Sequence, residues 1–141
     1  MIPSKRTGQV SERPSKRELY KKLTEASLLI KSGKWFPADA GKLQANWDEL
    51  ESKFGLDTSL LEDRTQILTA VLREIEIEDY AGRRPPQKSY EPAANGGEMF
   101  AFHWESDFFQ KSEIYFKFCL TGTDSGRRVC VLSIHPQRDP K

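Results

Sequence analysis

Apolar and polar residues alternate through Glu113-Ile-Tyr-Phe-Lys-Phe-Cys-Leu120 and again through Arg127-Arg-Val-Cys-Val-Leu-Ser-Ile-His135, and an aromatic run from Glu98 to Trp104 precedes both. A period of two marks half-buried strands, so three strands are predicted, the last two forming a hairpin. Successive strand residues point to opposite faces, and a one-residue slip would expose the whole apolar set. Ile114, Phe116, Phe118 and Leu120 therefore share the core face. Placing Cys130, Leu132 and Ile134 on that face leaves Tyr115, Lys117, Ser133 and His135 together on the other one.

Upstream the period becomes helical. Ser15-Lys-Arg-Glu18 is a capping-box pattern, and Leu19, Leu23, Ala26 and Ile30 follow at helical spacing, predicting a helix to about Ser32 that stops at Gly33. Lys34-Trp-Phe-Pro37 reads as an aromatic connector. A second helix starts within Pro37-Ala-Asp-Ala-Gly-Lys42, carries Leu43, Trp47 and Leu50 on one side, and ends at Gly55. Asp57 or Thr58 caps a third, whose Leu61, Leu68, Val71, Leu72 and Ile75 form a stripe suited to packing on a sheet. Pro85 and Pro86 forbid a helix in the stretch from Ala81 to Gly97. A long irregular segment in a small domain is either a binding loop or a solvated crossover.

The chain has 141 residues, enough for one core without disulfides. Residues 1–14 lack periodicity and read as a flexible basic arm, and residues 15–141 as a single domain. The basic bias continues to Lys22, as a leader that is either merely solvated or touches RNA or a partner. A formal net charge of +1 with 30% charged residues gives no global field for nucleic acid or membrane, so any basic site is local. The alternation places Cys119 and Cys130 on opposite faces, which predicts free thiols and suits a reducing cytoplasm. No apolar run approaches a membrane span, and two cysteines with two histidines make no metal-ligand set. No membrane partner and no cofactor is expected.

Phe54-Gly-Leu-Asp57, a helix ending in Glu78-Asp-Tyr80, a loop, Glu113-Ile-Tyr-Phe-Lys117 and a terminal Val131-Leu-Ser-Ile-His135 follow one another in an order that resembles the MqsR-type toxins of bacterial toxin-antitoxin systems, within the RelE-like ribonucleases. The resemblance implies an α+β fold, with N-terminal helices packed on a small twisted antiparallel sheet of three or more strands. It also implies a cytoplasmic protein that cleaves mRNA without a metal, free or on the ribosome, and a cognate antitoxin that neutralises it. Tyr80 matches the tyrosine that ends the family's helix, Tyr115 and Lys117 match the tyrosine and lysine of its strand, and His135 stands at the basic position of its last strand. Two positions depart. Ala81 stands where the family has a functional lysine, leaving Arg83 and Arg84 to supply that charge, and Met99 lies nearest the family's strand glutamine.

Cleaving RNA without a metal requires a base for the 2′-hydroxyl proton, an acid for the leaving 5′-oxygen and cations for the charge on the phosphate. Histidine suits the first two tasks, while arginine and lysine suit the third. The candidate catalytic residues are His135, Tyr115 and Lys117; Arg83, Arg84, Tyr80 and Lys88 are candidates for RNA and phosphate. Each also has an ordinary structural reading, as a strand-end histidine, a cross-strand packing tyrosine or a solubilising lysine. His103, between Phe102 and Trp104, reads as structural, on the face of Met99 and Ala101. A catalytically silent binding module of the same fold, or an adaptor docking through residues 83–90, is the competing function.

Overall fold

The capping box of the first helix forms as its sequence requires. In the computed structural model, which describes residues 13–89, 92–94 and 96–137, Ser15 Oγ accepts from the Glu18 amide at 3.1 Å and Glu18 returns a carboxylate to the Ser15 amide at 3.3 Å. Helix α1 (Lys16–Lys31) buries Leu19, Ala26 and Ile30 and stops at Ser32. All of the predicted basic arm except Arg13 and Pro14 lies outside the described residues.

The connector Lys34-Trp-Phe-Pro37 contains a strand, β1 (Trp35–Pro37), that lies parallel to β4 (Arg128–Pro136). Three residues are too few to show a period, and the pairing that makes them a strand is remote in sequence. Helix α2 (Ala40–Phe54) follows, capped by Asp39 and closed by Gly55 in the left-handed conformation.

Helix α3 (Leu61–Glu74) begins later than expected, with Leu60 at the cap position. Neither predicted cap is free. Asp57 accepts from the Ser59 amide and hydroxyl, and the Thr58 hydroxyl donates to Glu51 at 2.7 Å. Asp63 instead reaches back to the Leu60 amide. The buried stripe is Ile67, Leu68, Val71 and Leu72, continued by Ile75, whereas Leu61 is exposed.

Strands β2 (Met99–Ser106), β3 (Ser112–Thr121) and β4 form an antiparallel meander, and the sheet order is β1-β4-β3-β2. The sheet is therefore mixed, not purely antiparallel as expected, because β1 adds a parallel edge. One of its faces supplies Phe100, Phe102, Trp104, Ile114, Phe116, Phe118, Leu120, Val129, Val131 and Ile134 to a core shared with the helices. Asn46 of α2 is buried in this core, and its Oδ1 accepts from the Ile134 amide at 2.8 Å. The Ala38 amide after β1 still donates to the Val131 carbonyl at 2.9 Å; farther along β4 the asparagine satisfies a donor that burial would otherwise strand.

The hairpin register corrects part of the predicted face assignment. Lys117 pairs with Ser133 but Phe118 pairs with Val131, so Leu132 is the extra residue of a β-bulge. The bulge reverses the parity of β4 at its start. Val129 and Val131 enter the core in place of the expected Cys130 and Leu132, and Cys130 sits directly opposite Cys119 on the other face. Neither cysteine is in a disulfide, and both are buried in a small second cluster beneath Ala94.

Candidate functional site

The face of the sheet away from the helices carries the chemistry. Below the bulge the parity of β4 is as expected, so Tyr115 pairs with His135 and Lys117 with Ser133. On the other side of β3, Tyr115 pairs with His103 of β2. The three rings form a row across three strands. His103 and Tyr115 stack with centroids 4.2 Å apart and planes within 6°, and Tyr115 and His135 follow at 5.6 Å and 24°. Rings that stack on one another across a sheet stand upright on it, turning their faces to each other and their edges outward. The row therefore presents heteroatoms rather than flat stacking surfaces.

Each polar atom of the row has a distinct environment. His135 Nδ1 lies 2.8 Å from the Pro136 carbonyl. A carbonyl only accepts, so this contact is a hydrogen bond with the proton on Nδ1, and Nε2 of the neutral ring then keeps its lone pair. His103 Nε2 lies 2.7 Å from Glu113 Oε1, yet this shielded nitrogen makes no aligned hydrogen bond. The short approach counts as an ion pair when the ring is protonated. The Tyr115 hydroxyl and the exposed Lys117 ammonium have no hydrogen-bond or ion-pair partner among the described residues.

The irregular segment supplies the other wall. It runs antiparallel along the outer edge of β2, bridging Tyr80 to Phe102 and Lys88 to Glu98. Ala81 donates to the Ala101 carbonyl at 2.8 Å and Met99 donates to the Gln87 carbonyl at 2.8 Å. Between these two anchors the strap has more residues than the strand it covers, so it bows outward. The bow leaves a hollow of about 230 Å³ lined by Ala81, Gly82, Arg83, Gln87, Met99, Ala101 and Lys117. Gly82 packs closely in the bow: an added Cβ would stand 2.6 Å from the Tyr80 hydroxyl, so the tyrosine ring or the strap would have to shift.

The predicted site residues divide into two groups. His135, Tyr115 and Lys117 share one open face, and Arg83 shares the hollow with Lys117. Tyr80 and Arg84 have structural partners. The Tyr80 ring packs edge-on against Phe102 and its hydroxyl donates to the Arg83 carbonyl at 2.6 Å. Burial raises the Tyr80 phenol above its ordinary pKa, Arg84 opposes the rise and Glu98 adds to it. Arg84 lies over the Tyr80 ring and donates to the Pro14 carbonyl at 2.7 Å. Lys88 is exposed on the strap and does not line the hollow.

Sequence reasoning placed His103 on the correct face but not in the row. The signal was available, since the cores of β2 and β3 are both aromatic and their open faces must coincide. The missing quantity was register, which the turn at Asp107–Lys111 sets with Gln110 and Lys111 both at positive φ. Among the described residues no group of three His, Cys, Asp or Glu side chains could hold a metal ion, and no helix is long and apolar enough to cross a membrane. Comparison with family models, with curated proteins and with solved structures returns no match to this chain.

Proposed function

We propose that the open face binds single-stranded RNA and cleaves it without a metal, through attack of a 2′-hydroxyl on the adjacent phosphate. The observation that carries this reading is the pairing of Tyr115 with His135, with His135 Nδ1 occupied and Nε2 available. In this reading His135 Nε2 takes the 2′-hydroxyl proton and the O2′ attacks phosphorus. The Tyr115 hydroxyl donates to a phosphate oxygen. Lys117 and Arg83, facing one hollow, balance the charge that builds on the phosphorane. The chain's small net charge is no obstacle, because two cations without an ion-pair partner among the described residues line one hollow beside the row.

Incubating the protein with a defined RNA in EDTA and mapping the ends tests this. The expected products carry a 2′,3′-cyclic phosphate and a 5′-hydroxyl. His135→Ala should lower the rate by about 10²–10⁴-fold, as loss of a general base does. Intact RNA with the wild-type protein, with and without ribosomes, sinks the reading. The resemblance adds mRNA as the cellular substrate and a protein antitoxin as partner, so induced expression should arrest bacterial growth, with rescue by His135→Ala.

A second reading, a silent binding module, draws on Tyr80 and Arg84. The Tyr80 hydroxyl is committed to the strap and Arg84 Nη1 to the Pro14 carbonyl. RNA retained on the protein but left uncut would favour it.

A further inference from the structure

The reaction needs a second proton-transfer group for the leaving oxygen, and the row of rings holds one. We propose that His103 is the general acid of this site and that Glu113 is its positioning residue; the inference rests on the ribonuclease reading above.

The geometry of the row carries the argument. His103 and His135 flank Tyr115 from opposite sides, in register on three neighbouring strands. Two strand spacings set the imidazoles roughly 10 Å apart. Attack by one oxygen in line with departure of another places those oxygens on opposite sides of phosphorus. A phosphate seated over the Tyr115 hydroxyl lies between the two imidazoles and turns one of those oxygens toward each.

The two imidazoles are held differently, and the difference assigns the roles. The Pro136 carbonyl meets Nδ1 of His135 and leaves the ring able to accept at Nε2. The Glu113 carboxylate meets Nε2 of His103, so a protonated His103 has an ion-pair partner at one nitrogen while the other still carries a proton to give. Nε2 is shielded from solvent, whereas Nδ1 is neither sealed nor hydrogen-bonded among the described residues. Stacking against Tyr115 at 6° fixes the plane of the ring.

The step balances. His135 Nε2 accepts the 2′-hydroxyl proton, O2′ bonds to phosphorus, the bond from phosphorus to O5′ breaks, and O5′ takes the proton from His103 Nδ1. The products are a 2′,3′-cyclic phosphate and a 5′-hydroxyl, with His135 protonated and His103 neutral. Exchange with water restores both rings.

Two RNAs of one sequence separate an acid from a structural ring. One is ordinary RNA, and the other carries sulfur in place of the 5′-bridging oxygen at the mapped cut. A thiolate leaves without protonation, so only the oxygen substrate needs the acid. His103→Gln keeps a planar polar side chain and should lower cleavage of the oxygen substrate by about 10²-fold or more, while cleavage of the sulfur substrate stays near wild type. Glu113→Gln should show the same selectivity with a smaller loss, and His135→Ala should lose both substrates. Equal losses on the two substrates for His103→Gln, or no loss, would overturn the inference while leaving the ribonuclease reading intact. A wild-type protein that cuts neither RNA brings down the reading, and the inference with it.

Discussion

Cys119 and Cys130 stand opposite each other on β3 and β4, beneath the turn Pro92–Ala94. Burial, with Cys130 adding to it, pushes the Cys119 thiol up to about 12. The thiolate is the nucleophile, so at neutral pH this cysteine is inert for two reasons, access and ionisation. We expect neither cysteine to be alkylated by iodoacetamide in the native protein and both to be alkylated in concentrated urea, as read by intact mass. Labelling of the native protein at a rate close to that in urea would mean that the turn does not cover the pair. The same cluster covers one end of the sheet face whose other end carries the row of His103, Tyr115 and His135.

The hairpin that carries Tyr115 and His135 depends on its turn. Gly122 sits at φ +78°, and a Cβ there would collide with the Gly126 carbonyl oxygen, part of the backbone rather than a side chain that could swing away. Gly122→Ala therefore combines left-handed strain with a clash and should cost about 1–3 kcal/mol, read as a lower urea midpoint at an unchanged slope. A midpoint within error of wild type would show that the turn relaxes freely. At this scale the chain was legible wherever local pattern decides structure. The capping box at Ser15, the glycines at Gly33 and Gly55 and the alternation of β3 each named an element before any tertiary contact was known. The expectation failed where a distant partner decides. Strand β1 exists only through pairing with residues 129–131 of β4. Helix α3 lost its expected caps to Glu51 and Ser59. The bulge at Leu132 exchanged Cys130 for Val129 and Val131 in the core, because either set of residues satisfies alternation equally well. The candidate site was legible on β3 and β4 for the converse reason: both sides of the bulge keep their own parity, and His135 lies on the side where that parity was read correctly.

Across the whole molecule, carboxylates tie the helical layer to the sheet at both ends. Glu74 at the end of α3 accepts from Trp104 Nε1, the Ser106 hydroxyl and the Phe108 amide, fixing the turn between β2 and β3. At the opposite end Glu25 of α1 meets Arg127, just before β4, with Nε at 2.7 Å from Oε2. The Arg127 guanidinium, chiefly through that hydrogen bond and also through its charge, holds the Glu25 carboxyl below its ordinary pKa against a partial desolvation that raises it. A carboxyl with a depressed folded pKa binds fewer protons in the native state than in the unfolded one, so its contribution is complete above the ordinary carboxylate range. It is lost as pH falls through that range and through the lower folded value. The pair is partly exposed, and solvent screening limits its worth to about 0.5–1 kcal/mol. Glu25→Gln should therefore be less stable than wild type by about that amount at pH 7, and the two proteins should converge once acid has protonated Glu25 in both states. Urea titrations at neutral pH and at successively lower pH, through and below the ordinary glutamate pKa, provide the check. A stability gap that persists unchanged into acid would mean that the glutamine packs less well and that charge has no part in it. Because Arg127 also donates to the Gly122 carbonyl at 2.9 Å, the same guanidinium links α1 to the hairpin turn, so Gly122→Ala should weaken part of the acid-sensitive contribution as well as the turn. The two substitutions share a partner, and combined they should cost less than the sum of their separate effects.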